Sequence, residues 1–211
     1  MIAPSLRGTA DLVKAILLHC AIVRGPLTWG MTATAHAIVL VGFSGSGKSS
    51  VGRELAVRTG LPRYDTDEIV RAKFGLPIVE IFSQHGEEAF REAETSALRE
   101  IPRERAVVVT GGGIVLRDEN VAMLRALGTI VHLSADEETL FERISRRSTR
   151  PLLRSPNPRE TLAELLRVRE PLYRSVAAVT IDTSARTHEE VSKAILEQVA
   201  AIDERIETTT R

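Results

Sequence analysis

A glycine-rich octapeptide between a strand and a helix limits the folds open to this chain. Residues 42–49 read GFSGSGKS, after the apolar run AIVLVG and before the helix-forming segment KSSVGRELAVRT. A continuous apolar run fits a strand that is buried on both faces, as in a parallel sheet. Glycines let the backbone wrap a polyphosphate, and a lysine and a helix N-terminus balance its charge. The pattern therefore predicts a phosphate-binding loop in an α/β domain.

The residue types of this loop each suit a nucleoside triphosphate. Lys48 would reach the β- and γ-phosphates, and the Ser49 hydroxyl would ligate Mg²⁺. Exposed backbone N–H groups would supply further donors. A chance glycine-rich turn is disfavoured, because the strand, the lysine, the serine and the helix are all in place. The predicted nucleotide-binding residues here are Gly42, Gly45, Ser46, Gly47, Lys48, Ser49 and Ser50.

Strands and helices alternate along the rest of the chain. RYDTD, as a short strand end, and RAVVVT, GTIVHL and AAVTID predict four further strands, and periodic segments between them predict helices. Helices are expected at 68–74, 77–84 and 87–101, with breaks at Gly75 and Gly86, and a last helix at 187–205. This alternation predicts a parallel five-stranded sheet with helices on both faces and ligands at the C-terminal ends of the strands.

Length and composition narrow the class of protein. The 211 residues suit one domain, and 43% apolar with 27% charged residues is typical of a soluble globular protein. A net charge of zero disfavours a general nucleic-acid binder, and no apolar run reaches the ~18 residues of a membrane span. Cys20 is the only cysteine, so an intrachain disulfide is excluded and a reducing compartment fits.

The first 35 residues differ from the remainder. We expect 1–35 to be a poorly ordered extension, 36–205 to be the folded domain and 206–211 to be a tail. An alternative for the extension is a signal peptide, because a mostly apolar stretch (15–23) lies between two basic residues. His19 and Cys20 interrupt that stretch, which favours the extension.

Acids and an arginine follow the loop at suggestive positions. Asp65 and Asp67 lie two apart at a strand end, where both carboxylates would point to one side, one toward Mg²⁺ and one toward a hydroxylated substrate. Arg91 and Glu94 are i, i+3 neighbours, so the glutamate could fix the arginine. The alternatives are two solvated acids at a strand end and a charged helix face in solvent.

Two more segments indicate ligand binding. VVVTGGGIVL at 107–116 contains three consecutive glycines, which lose packing and cost backbone entropy on folding. Since residues 42–49 would hold the nucleotide, we expect the glycines to contact a second substrate, and a methyl group on Gly112 to meet it. Residues 143–159 contain six arginines and no acid. They predict a lid over the phosphates, with a nucleic-acid patch as the alternative.

Taken in order, these motifs resemble those of the shikimate kinases. The similar segments are GFSGSGKS, DTD, FREAE, TGGG, RPLL, REPLY and TSAR, over residues 37–200. The resemblance implies a P-loop NTPase fold like that of the nucleoside-monophosphate kinases, with strand order 2-3-1-4-5. It also implies a helical acceptor-binding insert at 65–95 and a lid at 145–159.

The resemblance implies an activity and roles for matching residues. The activity is ATP-dependent phosphorylation of the 3-hydroxyl of shikimate, a step of aromatic amino-acid biosynthesis. Asp67 would bind the acceptor hydroxyls and act as base, with Lys48 and Arg150 as the other catalytic residues. The implied substrate-binding residues are Asp67, Arg91, Gly111, Gly112, Gly113 and Arg169; Ser49 and Asp65 would hold Mg²⁺, and Arg150 and Arg186 would contact ATP.

Two alternatives remain open from the sequence. One is a kinase for another small hydroxylated acid such as gluconate, which would share Lys48 and the lid without needing two carboxylate-binding arginines. The other is a regulatory module that has lost transferase activity, which would show a lost acceptor residue. For the kinase we expect a cytoplasmic monomer with small-molecule substrates and no nucleic-acid or membrane partner.

Overall fold

A computed structural model describes residues 36–146 and 156–209, with side chains described as far as residue 205. The predicted extension at 1–35 lies outside the described residues. So do Arg150 and most of the predicted lid.

The core of the molecule is one parallel sheet. The strands are β1 (Ala37–Val41), β2 (Arg63–Asp65), β3 (Val107–Val109), β4 (Gly128–Ser134) and β5 (Val179–Asp182). Their order is β2-β3-β1-β4-β5, and every pairing is parallel. This confirms the predicted sheet and its order. β1 is fully buried between β3 and β4, which explains its unbroken apolar sequence.

Seven α-helices lie in the described part of the chain. They are α1 (Lys48–Thr59), α2 (Thr66–Phe74), α3 (Ile78–Glu100), α4 (Asp118–Leu127), α5 (Glu137–Ser145), α6 (Pro158–Val176) and α7 (His188–Thr209). Gly86 is non-helical within α3, with φ 84° and ψ 171°, so the predicted break becomes a kink between two continuous halves. The prediction that the last helix ends at 205 was wrong, because α7 continues to Thr209. A 3₁₀ turn at Ile114–Leu116 was not predicted.

Three apolar clusters hold these elements together. One cluster packs α4 and α6 against one face of the sheet, through side chains such as Val39, Leu124 and Tyr173. A second packs α1 and α7 against the other face, through Leu40, Leu55 and Ile195. Burying such side chains on both faces of a sheet is the dominant stabilising contribution in an α/β fold.

The third cluster belongs to a helical insert beside the sheet. Val70 of α2 packs against Ile81, Phe90 and Ala97 of α3. This small core lets α2 and α3 form a separate wall next to the C-terminal ends of β1, β2 and β3. The register pairs Leu40 with Val109 and Asp65 with Val109, so those three strands end at nearly the same level. Within 36–146 and 156–209, no helix is both long and apolar enough to cross a bilayer.

Candidate active site

The phosphate loop connects β1 to α1, and its shape requires glycine. Gly42, Gly45 and Gly47 have φ values of +142°, +92° and +93°, which side-chain-bearing residues rarely adopt. A Cβ on Gly42 would also lie 2.4 Å from the carbonyl oxygen of Leu133. Gly47 is the N-cap of α1 and has no side chain to accept from the first-turn N–H groups, which suits a helix N-terminus that binds an anion.

Lys48 lies over this loop. Its Nζ donates to the carbonyl oxygens of Gly42 and Phe43, at 2.7 and 2.9 Å, and the side chain is buried. A cationic group is therefore held at the concave side of the loop, where it can contact a polyphosphate.

A cleft of about 340 Å³ opens above the loop. Arg143, Arg146 and His188 face the loop across it, and Arg143 is held by bonds to the Thr183 hydroxyl (3.0 Å) and carbonyl (2.7 Å). The loop residues that line it are Ser44, Gly45, Gly47, Lys48, Ser49 and Ser50. The arginine-rich pattern included Arg143 and Arg146 without singling them out, and no motif pointed to His188.

Three predicted nucleotide residues lie apart from this cleft. Gly42 and Ser46 do not line it, and the buried Ser46 uses its N–H on the Phe43 carbonyl, at 3.2 Å. Arg186 is exposed and is not among the residues lining the cleft.

The two acids of DTD occupy different elements. Strand alternation was the wrong reason to expect both on one side, because β2 ends at Asp65 and Asp67 lies in the first turn of α2. Both residues nevertheless line the same cleft, the larger of the two at this site. Asp65 caps that helix: its Oδ1 accepts from the N–H groups of Asp67 and Glu68, at 3.1 and 3.3 Å. Its Oδ2 accepts from Arg63 at 3.1 Å. Burial raises the Asp65 pKa, an effect that Arg63 opposes.

A second, larger cleft of about 800 Å³ adjoins the first. The structure brings Asp67, Arg91, Gly112, Gly113 and Arg169 together along it, on four different segments of the chain. Asp67, Gly112, Ser44 and Ser49 line both clefts, so the two spaces meet there. A donor in one cleft and an acceptor in the other would meet at this junction.

The glycine loop, residues 111–113, forms one wall of the junction. A Cβ on Gly111 would lie 2.2 Å from Glu94 Oε1 and 2.6 Å from Asp67 Oδ1, and a Cβ on Gly113 would lie 2.1 Å from Arg91. These two glycines make room for the protein's own acceptor-site side chains.

Gly112 differs from its two neighbours. Its Cβ would point at the phosphate loop, 3.4 Å from Ser44 N and 3.7 Å from the Gly42 oxygen. A methyl group on Gly112 would therefore approach the phosphate loop, while contact of the Gly112 backbone with the second substrate stays a prediction.

The Arg91–Glu94 pair is buried, and this excludes the solvent-face alternative. Glu94 has no exposed surface and accepts a hydrogen bond from Arg91, which also contacts Glu87 at 3.0 Å. Burial raises the pKa of Glu94 to about 7; Arg91 opposes this rise and Asp67 adds to it. Glu94 thus holds the Arg91 guanidinium in place, and a pKa near 7 means that its own carboxyl titrates near neutral pH.

Comparison with known proteins decides the family. The family model described as "Shikimate kinase" matches residues 44–200. Shikimate kinase from Thermodesulfovibrio yellowstonii is 45% identical over 162 residues, covering 76% of this chain and 93% of that protein. This chain belongs to the shikimate kinase family. The shikimate kinase of Thioalkalivibrio sulfidiphilus is 44% identical over 154 residues, covering 72% and 80% of the two chains.

The solved structures agree with this family. Shikimate kinase from Acinetobacter baumannii in complex with shikimate superposes with a TM-score of 0.76 at 38% identity, covering 80% of this chain and 94% of that chain. Family membership makes the chain a kinase that uses ATP as its co-substrate, which fits the phosphate loop and its cleft.

Two aromatic residues in this shikimate kinase family member complete the site. Tyr173 donates its hydroxyl to the Gly112 carbonyl, and Arg169 lies over the ring of Phe43, with 5.7 Å from the guanidinium carbon to the ring centre. Sequence reasoning used only the arginine of REPLY. The tyrosine of that motif was the available signal for the bond to Gly112.

Proposed function

We propose that this protein transfers the γ-phosphoryl group of ATP to the 3-hydroxyl of shikimate, giving shikimate 3-phosphate and ADP. The observation that carries the proposal is the convergence of two arginines and Asp67 on one cleft that opens into the phosphate-loop cleft. That set matches an acceptor with one carboxylate and several hydroxyls.

The two arginines would hold the acceptor carboxylate. Arg91 comes from α3 and Arg169 from α6, so the two guanidinium groups approach the cleft from separate walls. A guanidinium group binds a planar carboxylate through paired N–H donors, which fixes orientation as well as charge. Glu94 pre-orients Arg91, so less freedom is lost when the acceptor binds.

Asp67 would serve the reacting hydroxyl. It lies at the junction of the two clefts, next to Gly111. The Asp67 carboxylate would accept the proton as the hydroxyl oxygen bonds to the γ-phosphorus, and the bond from that phosphorus to the β–γ bridging oxygen would break to release ADP. Alignment of this kind accounts for most of the rate enhancement in phosphoryl transfer.

Charge on the phosphates would be balanced from the loop side. Lys48 would contact the β- and γ-phosphates, with Arg150 of the lid as a second cation. Ser49 and Asp65, both lining the larger cleft, offer the oxygen ligands that Mg²⁺ prefers. When bound, Mg²⁺ would neutralise charge on the β- and γ-oxygens. The described residues contain no cluster of three or more His, Cys, Asp or Glu, so the ion would depend on Ser49 and Asp65 together with the phosphates and water.

The proposal extends to the organisation of the protein. Residues 36–205 would form the kinase domain, with the acceptor region at about 65–95 and the lid at about 145–159, and the enzyme would act as a cytoplasmic monomer. The structure supports the acceptor region, since α2 and α3 have an apolar core of their own.

A coupled ADP-release assay with shikimate, quinate and gluconate side by side tests the function. We expect kcat/KM for shikimate to exceed that for gluconate by at least about 100-fold, because an open-chain acid that pairs its carboxylate with the arginines would leave its hydroxyls poorly aligned with Asp67. Faster turnover of gluconate would contradict the proposal and favour the other kinase. Saturable binding of shikimate without ADP release would favour the regulatory module.

A further inference from the structure

One turn of α6 contacts both functional loops. At its start, Arg169 lies over Phe43 of the phosphate loop. Four residues later, Tyr173 donates its hydroxyl to the carbonyl of Gly112 in the glycine loop. Residues four apart lie on the same face of a helix, so this single face is positioned against both loops at once.

The Tyr173 ring is itself firmly placed. It has no exposed surface, and it stacks on His132 with ring centres 5.2 Å apart and planes 24° apart. His132 belongs to β4 and pairs in register with Val41, the last residue of β1. Burial raises the pKa of the Tyr173 hydroxyl, so the group stays protonated and remains a donor. The hydroxyl therefore has a fixed position relative to the centre of the sheet.

The accepting residue lies where the two clefts meet. Gly112 lines both, and its neighbours Gly111 and Gly113 are in close contact with Glu94, Asp67 and Arg91. A shift of the Gly112 carbonyl would move those neighbours against the candidate base and the acceptor-binding arginine. The nucleotide, in contrast, is held mainly by the loop at 42–49.

We propose that Tyr173 is a positioning residue for phosphoryl transfer. Its hydroxyl fixes the glycine loop and thereby aligns the acceptor with the nucleotide. The proposal rests on the proposed function. It assigns the last residue of REPLY a role in aligning the acceptor. The Tyr173 hydroxyl also interacts with the Arg169 side chain, so its loss would act on the carboxylate-binding arginine as well as on the glycine loop.

The variant Tyr173→Phe removes the hydroxyl and keeps the ring. We expect kcat/KM for the acceptor to fall about 10- to 100-fold, the range in which small misplacements act, while the Kd for ATP changes less than about threefold. The matched control is Tyr64→Phe. Tyr64 is the only other tyrosine, and its hydroxyl bonds to Glu104 at the surface, at 2.6 Å. That control should retain wild-type kinetics.

A merely structural role is excluded by a second control on the same helix. Leu162→Ala removes a fully buried side chain of α6 that lines neither cleft. The kinetics of both variants are measured well below their melting temperatures. An equal loss of kcat/KM in Leu162→Ala and Tyr173→Phe would overturn the proposal, as would an equal loss of ATP affinity and acceptor kcat/KM in Tyr173→Phe.

Fluorine NMR gives a readout that needs no folded variant. With 3-fluorotyrosine incorporated, the wild-type chain should show one buried signal from Tyr173 and one reference signal from Tyr64. Saturating acceptor should shift the Tyr173 signal and leave the reference unchanged; an unmoved Tyr173 signal would overturn the proposal. Acceptor here means whichever of shikimate, quinate and gluconate the wild type phosphorylates. Failure with shikimate alone would therefore contradict the proposed function, while the role of Tyr173 would still be tested.

Discussion

The phosphate loop and the glycine loop are both rich in glycine, yet for different physical reasons. In the phosphate loop, Gly45 and Gly47 have positive φ values, so the backbone conformation itself excludes other residues. In the glycine loop, no residue has positive φ, and the restriction comes from side chains that crowd Gly111 and Gly113. The first loop is shaped by its backbone and the second by its neighbours.

Substitutions in the two loops should therefore impair different steps of the reaction. A substitution in the phosphate loop strains the backbone and affects nucleotide binding directly. A substitution of Gly111 or Gly113 displaces Glu94, Asp67 or Arg91, and its effect should be measured on the acceptor. Kinetic constants for the nucleotide and the acceptor, measured separately, distinguish the two cases.

Replacing the loop lysine should have the largest effect. In Lys48→Met we expect kcat to fall about 10³-fold, because the lysine interacts most with charge that develops in the transition state. The control is Lys73→Met, which removes a surface lysine bonded to Glu100 at 2.5 Å. Steady-state ADP release and a melting curve of each variant provide the measurement. If Lys48→Met keeps activity within tenfold of wild type, the assignment of residues 42–49 to nucleotide binding is contradicted.

Alanine substitutions along the glycine loop should separate its three positions. Gly113→Ala would push Arg91 off its buried partner, and Gly111→Ala would push Glu94 and Asp67 apart. Loss of a charged hydrogen bond costs about 1.5–3 kcal/mol, so the acceptor KM should rise about 10- to 100-fold in each.

Gly112→Ala is the matched control for these two. Its methyl group has room at 3.4 Å from Ser44 N, on the phosphate-loop side. We expect any weakening to concern ATP more than the acceptor, with an acceptor KM within about threefold of wild type, as for substitutions that fit without strain. A rise in acceptor KM that is largest in Gly112→Ala would mean that the substrate, and not the protein's own side chains, explains the glycines.

The sequence predicted the sheet better than it predicted the site's interior. The parallel sheet followed from the alternation of strands and helices, and the strand order from the resemblance. The apolar run at 37–42 matches the buried, central position of β1. Asp67 lies on α2 and not at the strand end, because β2 has only three residues and the helix begins directly after it. The direction of the Gly112 Cβ and the bond from Tyr173 depend on contacts between segments some 60 residues apart, which local pattern does not contain.

A conservative change in the acceptor cleft should have an intermediate effect. Arg169→Lys keeps the charge and loses the paired donors, so we expect a loss of about 1–3 kcal/mol in acceptor binding, or about 5- to 150-fold in KM. Arg167→Lys, at an exposed position of the same helix, is the control. Initial rates at varied acceptor and saturating ATP would measure it. An unchanged KM would show that Arg169 contributes only charge, or nothing, to the cleft.

The pH dependence of stability should show the smallest effect, and it concerns Glu94. Burial raises the pKa of this carboxyl to about 7, from an ordinary value of 4.5. Between these two values the folded protein binds more protons at this site than the unfolded chain does. The stabilising contribution of the protonated group is therefore complete below about pH 4.5 and is lost as the pH rises through about 7. Arg91 limits this loss of stability, since it favours the ionised form of Glu94.

Glu94→Gln tests this dependence, because glutamine has nearly the same shape and cannot ionise. We expect the melting temperature of wild type, relative to Glu94→Gln, to fall between about pH 5 and pH 8, by a few degrees at most for a change on the order of 1 kcal/mol. Glu92→Gln, at an exposed site of the same helix, should run parallel to wild type across the range. A wild-type curve that instead gains stability relative to Glu94→Gln as pH rises would show that the ion pair with Arg91 outweighs the cost of burying the charge. In that case Glu94 would be ionised at neutral pH, so the acceptor cleft would hold a fixed charge as the phosphate loop does with Lys48.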